Sequence, residues 1–249
     1  FTFAGFVFGA ELNRAEEIVR KSVKNTNYEW AAAPQFDYTE RDVTVQNGRR
    51  TVKTYRVLMV EGSTYNKLIS VDGKSLAGSQ ASAEEAKLQR EVERRRSESP
   101  SARQKRVSKY EAERRQDHEL MTEMANAFQF TLTGQENVNG RLCFALEANP
   151  KPTYRPPNRD AQVLKGMRGK LWVDVKEYQW VKVHAEVFRP VNFGLFFAQV
   201  KPGTSFTLEQ TPVNGRLWLP SHFTSSVKGR VFLSSRDSLD DEVYSDYRR

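Results

Sequence analysis

With 249 residues, 38% of them apolar, the chain is long enough for one substantial core, and an all-β fold of this length needs no second domain. Lys and Arg number 39 against 31 Asp and Glu, a net charge of +8; the bases alternate with acids instead of forming one block, which reads as a solvated surface. The single cysteine, Cys143, excludes a disulfide framework and a zinc site built on several cysteines.

Residues 1–10 are uncharged and rich in phenylalanine, then the sequence turns abruptly to Glu11. Ten residues are too few to span a bilayer, which takes about 20. The run fits the tail of a secretory h-region, so residues 1–10 are expected to be an export segment and 11–249 one domain; an edge strand or core segment is the alternative. Leu12, Ala15, Ile18, Val19 and Val23 then recur at helical spacing, predicting an amphipathic helix over 11–25 that ends at Asn25-Thr26-Asn27. Residues 36–45 and 51–60 read as strands joined across Gln46-Asn47-Gly48, a type I′ hairpin signal. Residues 65–71 form the next strand, closed by Asp72-Gly73.

Residues 81–127 differ in kind, with Glu84-Glu85, Arg94-Arg95-Arg96, Lys105-Arg106 and Arg114-Arg115 and few aromatic residues. They predict a charged insertion of two polar helices around a break at Pro100. Glu91 with Arg95 and Glu111 with Arg115 are i,i+4 pairs of a solvated face. The second helix turns apolar at Leu120, Met121, Met124, Ala127 and Phe128, where it can dock on a sheet. Strands are expected at 129–134, 141–148, 169–175, 179–188, 205–210, 216–228, 230–234 and 242–248, with turns at Asn139-Gly140 and Asn214-Gly215. Alternation puts Val181, Val183, Ala185 and Val187 on one face and Lys182, His184 and Glu186 on the other. Leu142, Phe144 and Leu146 likewise oppose Arg141, Cys143 and Glu147. One dry face and one wet face result, and the dry one must be covered by helices, a second sheet or a ligand. The apolar stretch 190–198 is either a plug at one end of the sheet or an exposed loop that touches a membrane or a lipid-bearing client.

No catalytic constellation is visible. His118, His184 and His222 lie apart, and there is no H-E-x-x-H, G-x-S-x-G or glycine-rich phosphate loop. Cys143 lies mid-strand without a motif and reads as a structural thiol. The acidic pairs Glu84-Glu85 and Asp240-Asp241 are adjacent in sequence and point apart. A non-enzymatic protein without cofactor or metal is expected. Trp172, Trp180 and Trp218, assigned to the polar faces of their strands near Lys170, Lys182 and Arg216, are the best support for nucleic-acid binding, yet no signature accompanies them and no such partner is expected.

The order of elements, together with residues 55–76, 128–150, 169–190 (Leu-Trp-Val-Asp174, then Glu177-Tyr-Gln-Trp-Val-Lys-Val183), 203–220 and Tyr244-Ser-Asp-Tyr247, resembles the periplasmic outer-membrane lipoprotein-sorting carriers of the LolA/LolB-like family, as a divergent bacterial member. The resemblance implies a mainly β (α+β) fold: a curved antiparallel sheet, or incomplete β-barrel, with helices over its concave face. It implies a soluble periplasmic carrier that shelters lipid or lipoprotein acyl chains. The cup wall would be Phe130, Leu132, Leu142, Phe144, Leu146, Leu171, Val173, Val181, Val183, Val187, Phe206, Leu208, Leu217 and Leu219; the same side chains could instead form a closed core. The long polar insertion departs from a compact apolar lid, and no cysteine follows the first apolar run to anchor an acylated receptor. Two other classes stand beside the carrier: an envelope-stress or protein-interaction module on the same fold, partnered by envelope proteins, and a basic nucleic-acid-binding protein.

Overall fold

The computed structural model describes residues 4–46, 48–193, 198–215, 217–231 and 234–249. Helix α1 (Ala4–Ala32) leads through a 3-10 turn (Ala33–Gln35) to strands β1 (Asp37–Gln46), β2 (Arg49–Val60), β3 (Ser63–Val71) and β4 (Lys74–Ser75). Helices α2 (Gly78–Arg96) and α3 (Pro100–Ala127) follow, then β5 (Phe128–Val138) and β6 (Arg141–Pro150). A second 3-10 segment (Asp160–Gly166) precedes β7 (Met167–Asp174), β8 (Trp180–Val187), β9 (Val191–Phe193), β10 (Ala198–Val200), β11 (Ser205–Asn214), β12 (Leu217–Val231) and β13 (Ser234–Arg248).

Among the described residues the strands form one sheet of 13, ordered β4-β3-β2-β1-β13-β12-β11-β8-β7-β6-β5, with β10 and β9 branching from β12. Every pairing is antiparallel, as expected for strands joined by tight turns. The edge strands β4 and β5 do not meet, so the sheet is mainly β and open, not a closed barrel. Register shifts fall at residues 54/55, 132/134, 172/173 and 209/210; such bulges bend a strand and tighten its twist, curving the sheet.

The turns follow the sequence closely. Val138 pairs with Arg141 across Asn139 and Gly140, at φ 51° and 77°, and Gln46 pairs with Arg49 across Gly48, while Asn47 lies outside the described residues. Asn214 stays in its strand and pairs with Leu217, so the expected Asn214-Gly215 turn is displaced by one residue, with Gly215 at φ 56°. Glu61 and Gly62 form a further turn that composition did not mark.

Several boundaries differ. Helix α1 runs to Ala32 instead of stopping at residues 25–27, because those polar side chains do not cap it: Thr26 Oγ1 donates to Ser22 O at 3.2 Å, and Asn25 Nδ2 reaches the sheet. Pro34 ends it, since the residue before a proline disfavours the helical conformation. Residues 4–10 are helical backbone at the start of α1, a conformation that an export segment also adopts. The expected strand 216–228 and the first two residues of 230–234 belong to one strand, β12 (Leu217–Val231), and β13 starts at Ser234, eight residues ahead of the expected 242, held by β1 and β12 on its two sides.

The two insertion helices appear as expected, broken where Ser99 caps α3 by accepting from the Ala102 N–H and Pro100 takes the first turn. Their charges are not all solvated. Arg95 is buried and donates to Val60 O (2.9 Å), Ser63 O (2.9 Å) and Thr64 O (3.1 Å) while pairing with Glu91 (2.6 Å). Arg106 donates to Glu61 O (3.0 Å), Ser63 Oγ (2.7 Å) and Glu98 (2.8 Å). The hairpin of α2 and α3 is thus pinned to the β2–β3 turn. From there α3 crosses the sheet, past Met59, to enter β5 at the opposite edge.

Candidate binding site

The concave face over β5–β8 is apolar because cross-strand register repeats the same parity. Phe130 pairs with Ala148, Leu132 with Leu146, Leu146 with Leu171, Phe144 with Val173 and Leu171 with Val183. Ala185 and Val187 continue the row, and Phe206 lies opposite Ala185. Onto this wall fold Ala15, Ile18 and Val19 of α1, with Val23 beside them, and Leu120, Met121, Met124 and Ala127 of α3. The expected docking of the apolar end of α3 is therefore observed.

Polar contacts fix α1 on the wall. Trp180 Nε1 donates to Ser22 Oγ at 2.8 Å, and Ser22 Oγ donates to Val19 O at 2.8 Å, so both buried groups are satisfied inside the helix–sheet seam. Asn25 Nδ2 donates to the carbonyls of Glu177 (2.9 Å) and Tyr178 (3.0 Å). Against α3, Trp30 Nε1 donates to Arg114 O at 3.2 Å, the Trp30 ring stacks on His118 at 4.7 Å, and His118 meets Asn27 Oδ1 at 2.8 Å.

Between the helices and the sheet remains a hollow of about 30 Å³. Val19 and Val23 of α1, Met124 of α3, and Phe128, Phe130, Leu171, Trp180 and Val183 of the sheet line it, with residues 168–170 and 184–185 completing it. That is room for a water-sized guest; ligand pockets run to about 300–1,000 Å³. In this conformation the wall is covered by the protein's own helices.

The sequence-derived wall divides on inspection. Phe130, Phe144, Leu146, Leu171, Val173 and Val187 are buried together, and Leu132, Val183 and Phe206 pack against them half-buried. Leu208 shares the face by pairing with Val183 but is only half-buried. Leu217 and Leu219 are buried in a second cluster around Phe36, near Ala32 and Ala33 at the end of α1. Leu142 stands 49% exposed at the start of β6, outside the wall. Val181 belongs to a cluster with Cys143 and Trp218, because the bulge opposite residues 172/173 leaves it unpaired and lets Trp180 take the apolar face, opposite Val173.

That bulge also corrects the aromatic reading. Trp180 and Trp218 are buried, 3% and 1% exposed, not displayed on a polar face. Trp218 Nε1 donates to Glu177 at 3.1 Å beneath the Arg141 guanidinium. Trp172 donates to Glu136 at 2.7 Å, and its neighbours Lys170 and Lys182 are paired with Glu136 and Glu209. A stacking platform for bases needs rings presented to solvent, and two of these three are withdrawn from it.

The apolar wall does not extend over the whole concavity. Following the same face outward, Val183 pairs with Leu208, Leu208 with Phe223, Phe223 with Glu242, Glu242 with Asp42 and Asp42 with Lys53. Beyond Phe223 the face is acidic and hydroxylated. Burial, then the neighbouring Asp42, pushes the Glu40 carboxyl up to about 7, and burial likewise raises Asp42 and Glu242. The cup is two-toned, apolar on β5–β8 and polar on β12, β13 and β1.

Chemistry beyond binding finds little to work with. Cys143 is buried, and burial, reinforced by the charge of Asp174, pushes its thiol up to about 11, which keeps it protonated and inert. Among the described residues no group of three or more His, Cys, Asp or Glu side chains is placed to hold a metal, and no helix is long and apolar enough to cross a membrane. Residues 194–197, the centre of the expected plug or loop, lie outside the described residues; β9 and β10 flank them as a short antiparallel pair.

These features define a class of fold: an open, curved antiparallel sheet with a helix pair clasped over an apolar part of its concave face. No family model matches the chain, and no curated protein matches it. Among solved structures it is similar to a DUF1329 family protein from Desulfovibrio piger, at 12% identity over 96% of this chain and 92% of that one, with a TM-score of 0.40. It is also similar to a LolA superfamily protein from Nitrosomonas europaea (11% identity, 94% and 92% covered, TM-score 0.35). A third is a domain named as a candidate outer-membrane lipoprotein-sorting protein from Vibrio parahaemolyticus (11%, 95% and 92%, 0.38).

Proposed function

We propose that the chain is a non-enzymatic carrier of the periplasm that shelters an acyl chain of a lipid or lipoprotein against β5–β8, with α1 and the end of α3 as a displaceable cover. The observation that carries the reading is the hollow at the seam, walled by Val19, Val23, Met124, Phe130, Trp180 and Val183. It marks a place where the helices do not fill the space over the sheet. Re-exposing the buried Ile18 and Val19 costs about 1.5–3 kcal/mol each and the half-buried Val23 less, so about 4–8 kcal/mol in all. Ten buried methylenes return about 8 kcal/mol at about 0.8 each. A guest that buries about ten methylenes is therefore of the size needed to compete with these contacts.

A second reading has an observation of its own. Apart from this hollow the wall is filled by the protein's own side chains, as in an interaction module whose core is closed and whose contacts with envelope proteins are made through the charged α2–α3 arm. Lipid extraction and mass spectrometry of the purified protein separate the two. Copurifying acyl species, lost in a Val183→Asp variant that keeps its circular dichroism spectrum, support the carrier. Protein without acyl species, and without uptake of added palmitate, supports the interaction module.

A further inference from the structure

Helix α1 carries one side chain that covering the wall does not explain. Glu29 is 4% exposed, both its carboxyl oxygens are shut off from water, and among the described residues neither accepts a hydrogen bond of ordinary geometry, although the Gln210 side chain and the Trp218 backbone N–H stand close enough to act on them. On β11 beside it, Gln210 Oε1 is likewise buried without a donor. An ionised carboxylate in that position costs several kcal/mol, because nothing compensates its lost hydration. A neutral carboxylic acid has an O–H to give, and the neighbouring Gln210 carries an amide oxygen that lacks a donor.

The charged groups around it are engaged elsewhere. On α3, Arg114 donates to Trp30 O and His118 meets Asn27. Behind β12, Arg141 and Glu177 hold the indole of Trp218. The groups that act on the Glu29 carboxyl are the backbone N–H of Trp218 and the Gln210 side chain, and they only partly offset its burial.

We propose that Glu29 is a proton-operated latch of helix α1. As the neutral acid it donates to Gln210 and lets the second half of the helix lie on β11 and β12; as the carboxylate it drives that half off the sheet and loosens the cover of the apolar wall. The latch deepens the carrier reading, since it regulates the same cover. Its position suits the role: Glu29 lies between Asn25, anchored on the β7–β8 turn, and Ala32, packed near Leu217 and Leu219. Burial pushes its carboxyl up to about 8. The sign follows: the folded value is raised, so the stabilisation is complete below the ordinary carboxylate range and is lost as pH rises toward 8. Between pH 5 and 7 the ratio of open to closed helix rises about tenfold per pH unit.

The test is amide hydrogen exchange over residues 24–32 in the full chain from pH 5 to 8, with Glu29→Gln measured alongside to cancel the intrinsic pH dependence of exchange. The glutamine keeps the shape and the donor but cannot ionise. The ratio of wild-type to variant exchange rates should climb by on the order of a hundredfold between pH 5 and 7. A flat ratio overturns the latch. So does a Glu29 carboxyl carbon that titrates in the ordinary range by carbon-13 NMR, a readout that needs no variant. Palmitate binding is measured separately at pH 6 and 8, and should be tighter at pH 8 in the wild type alone. If palmitate binds at neither pH while the exchange ratio still climbs, the latch stands and the carrier reading fails.

Discussion

Val19→Ala separates a wall that must be uncovered from a cavity that is simply filled. Val19 is 5% exposed, sits on the underside of α1 and lines the hollow. Removing two carbons forfeits about 1.6 kcal/mol of burial, and the void left behind raises the loss to about 2 kcal/mol. If the guest replaces α1 on the wall, the free protein alone carries that loss, because Val19 no longer packs on the sheet once the helix has moved. Apparent affinity is the intrinsic affinity scaled by the open fraction, so weakening closure by about 2 kcal/mol tightens binding by up to roughly thirtyfold. Urea unfolding should show a lower midpoint with an unchanged slope. Titration with a fluorescent long-chain fatty acid should show the tighter binding in the same preparation. Weaker or unchanged affinity would refute the reasoning, placing Val19 among the groups that touch the guest or removing the need for α1 to move.

Arg95→Ala strips the donors from the carbonyls of Val60, Ser63 and Thr64 and should cost about 3–5 kcal/mol, read as faster hydrogen exchange in α2 and the first half of α3 while β5–β8 stay protected. Gly169→Ala should destabilise by about 1–3 kcal/mol or more in a denaturant melt, because its added carbon would stand 2.3 Å from the His184 carbonyl oxygen on the neighbouring strand. Cys143 should resist iodoacetamide at pH 8 in the native protein and react at the ordinary thiol rate in urea, since its folded-state titration lies near 11; native reactivity at pH 8 would show the thiol to be accessible.

The hairpin signals were legible because glycine and asparagine tolerate positive φ, and the turns at Gly48, Asp72-Gly73 and Asn139-Gly140 stand where they were expected. The apolar wall was legible wherever a strand alternates without interruption, as in Phe130–Leu132 and Leu171–Val173. Val181 and Trp180 were misassigned because a bulge changes face parity, and its position depends on the partner strand, not on the local sequence. Leu142 fits the alternation perfectly, yet it lies at a strand end beyond the reach of either helix, and burial is a property of what sits above a residue. The acidic continuation of the wall escaped notice because it appears only when β12, β13 and β1 are placed side by side. Arg95 looked like one more member of a charge run, and only the approach of the β2–β3 turn gives its guanidinium a purpose.

The most direct test of the covered-wall account is hydrogen exchange of the whole chain with and without bound palmitate. The account expects residues 15–25 of α1 to exchange faster in the loaded protein while the strands that receive the acyl chain, 128–132 and 167–187, exchange more slowly. Palmitate bound with α1 equally or better protected would contradict it, and would place any guest somewhere other than between this helix and the sheet.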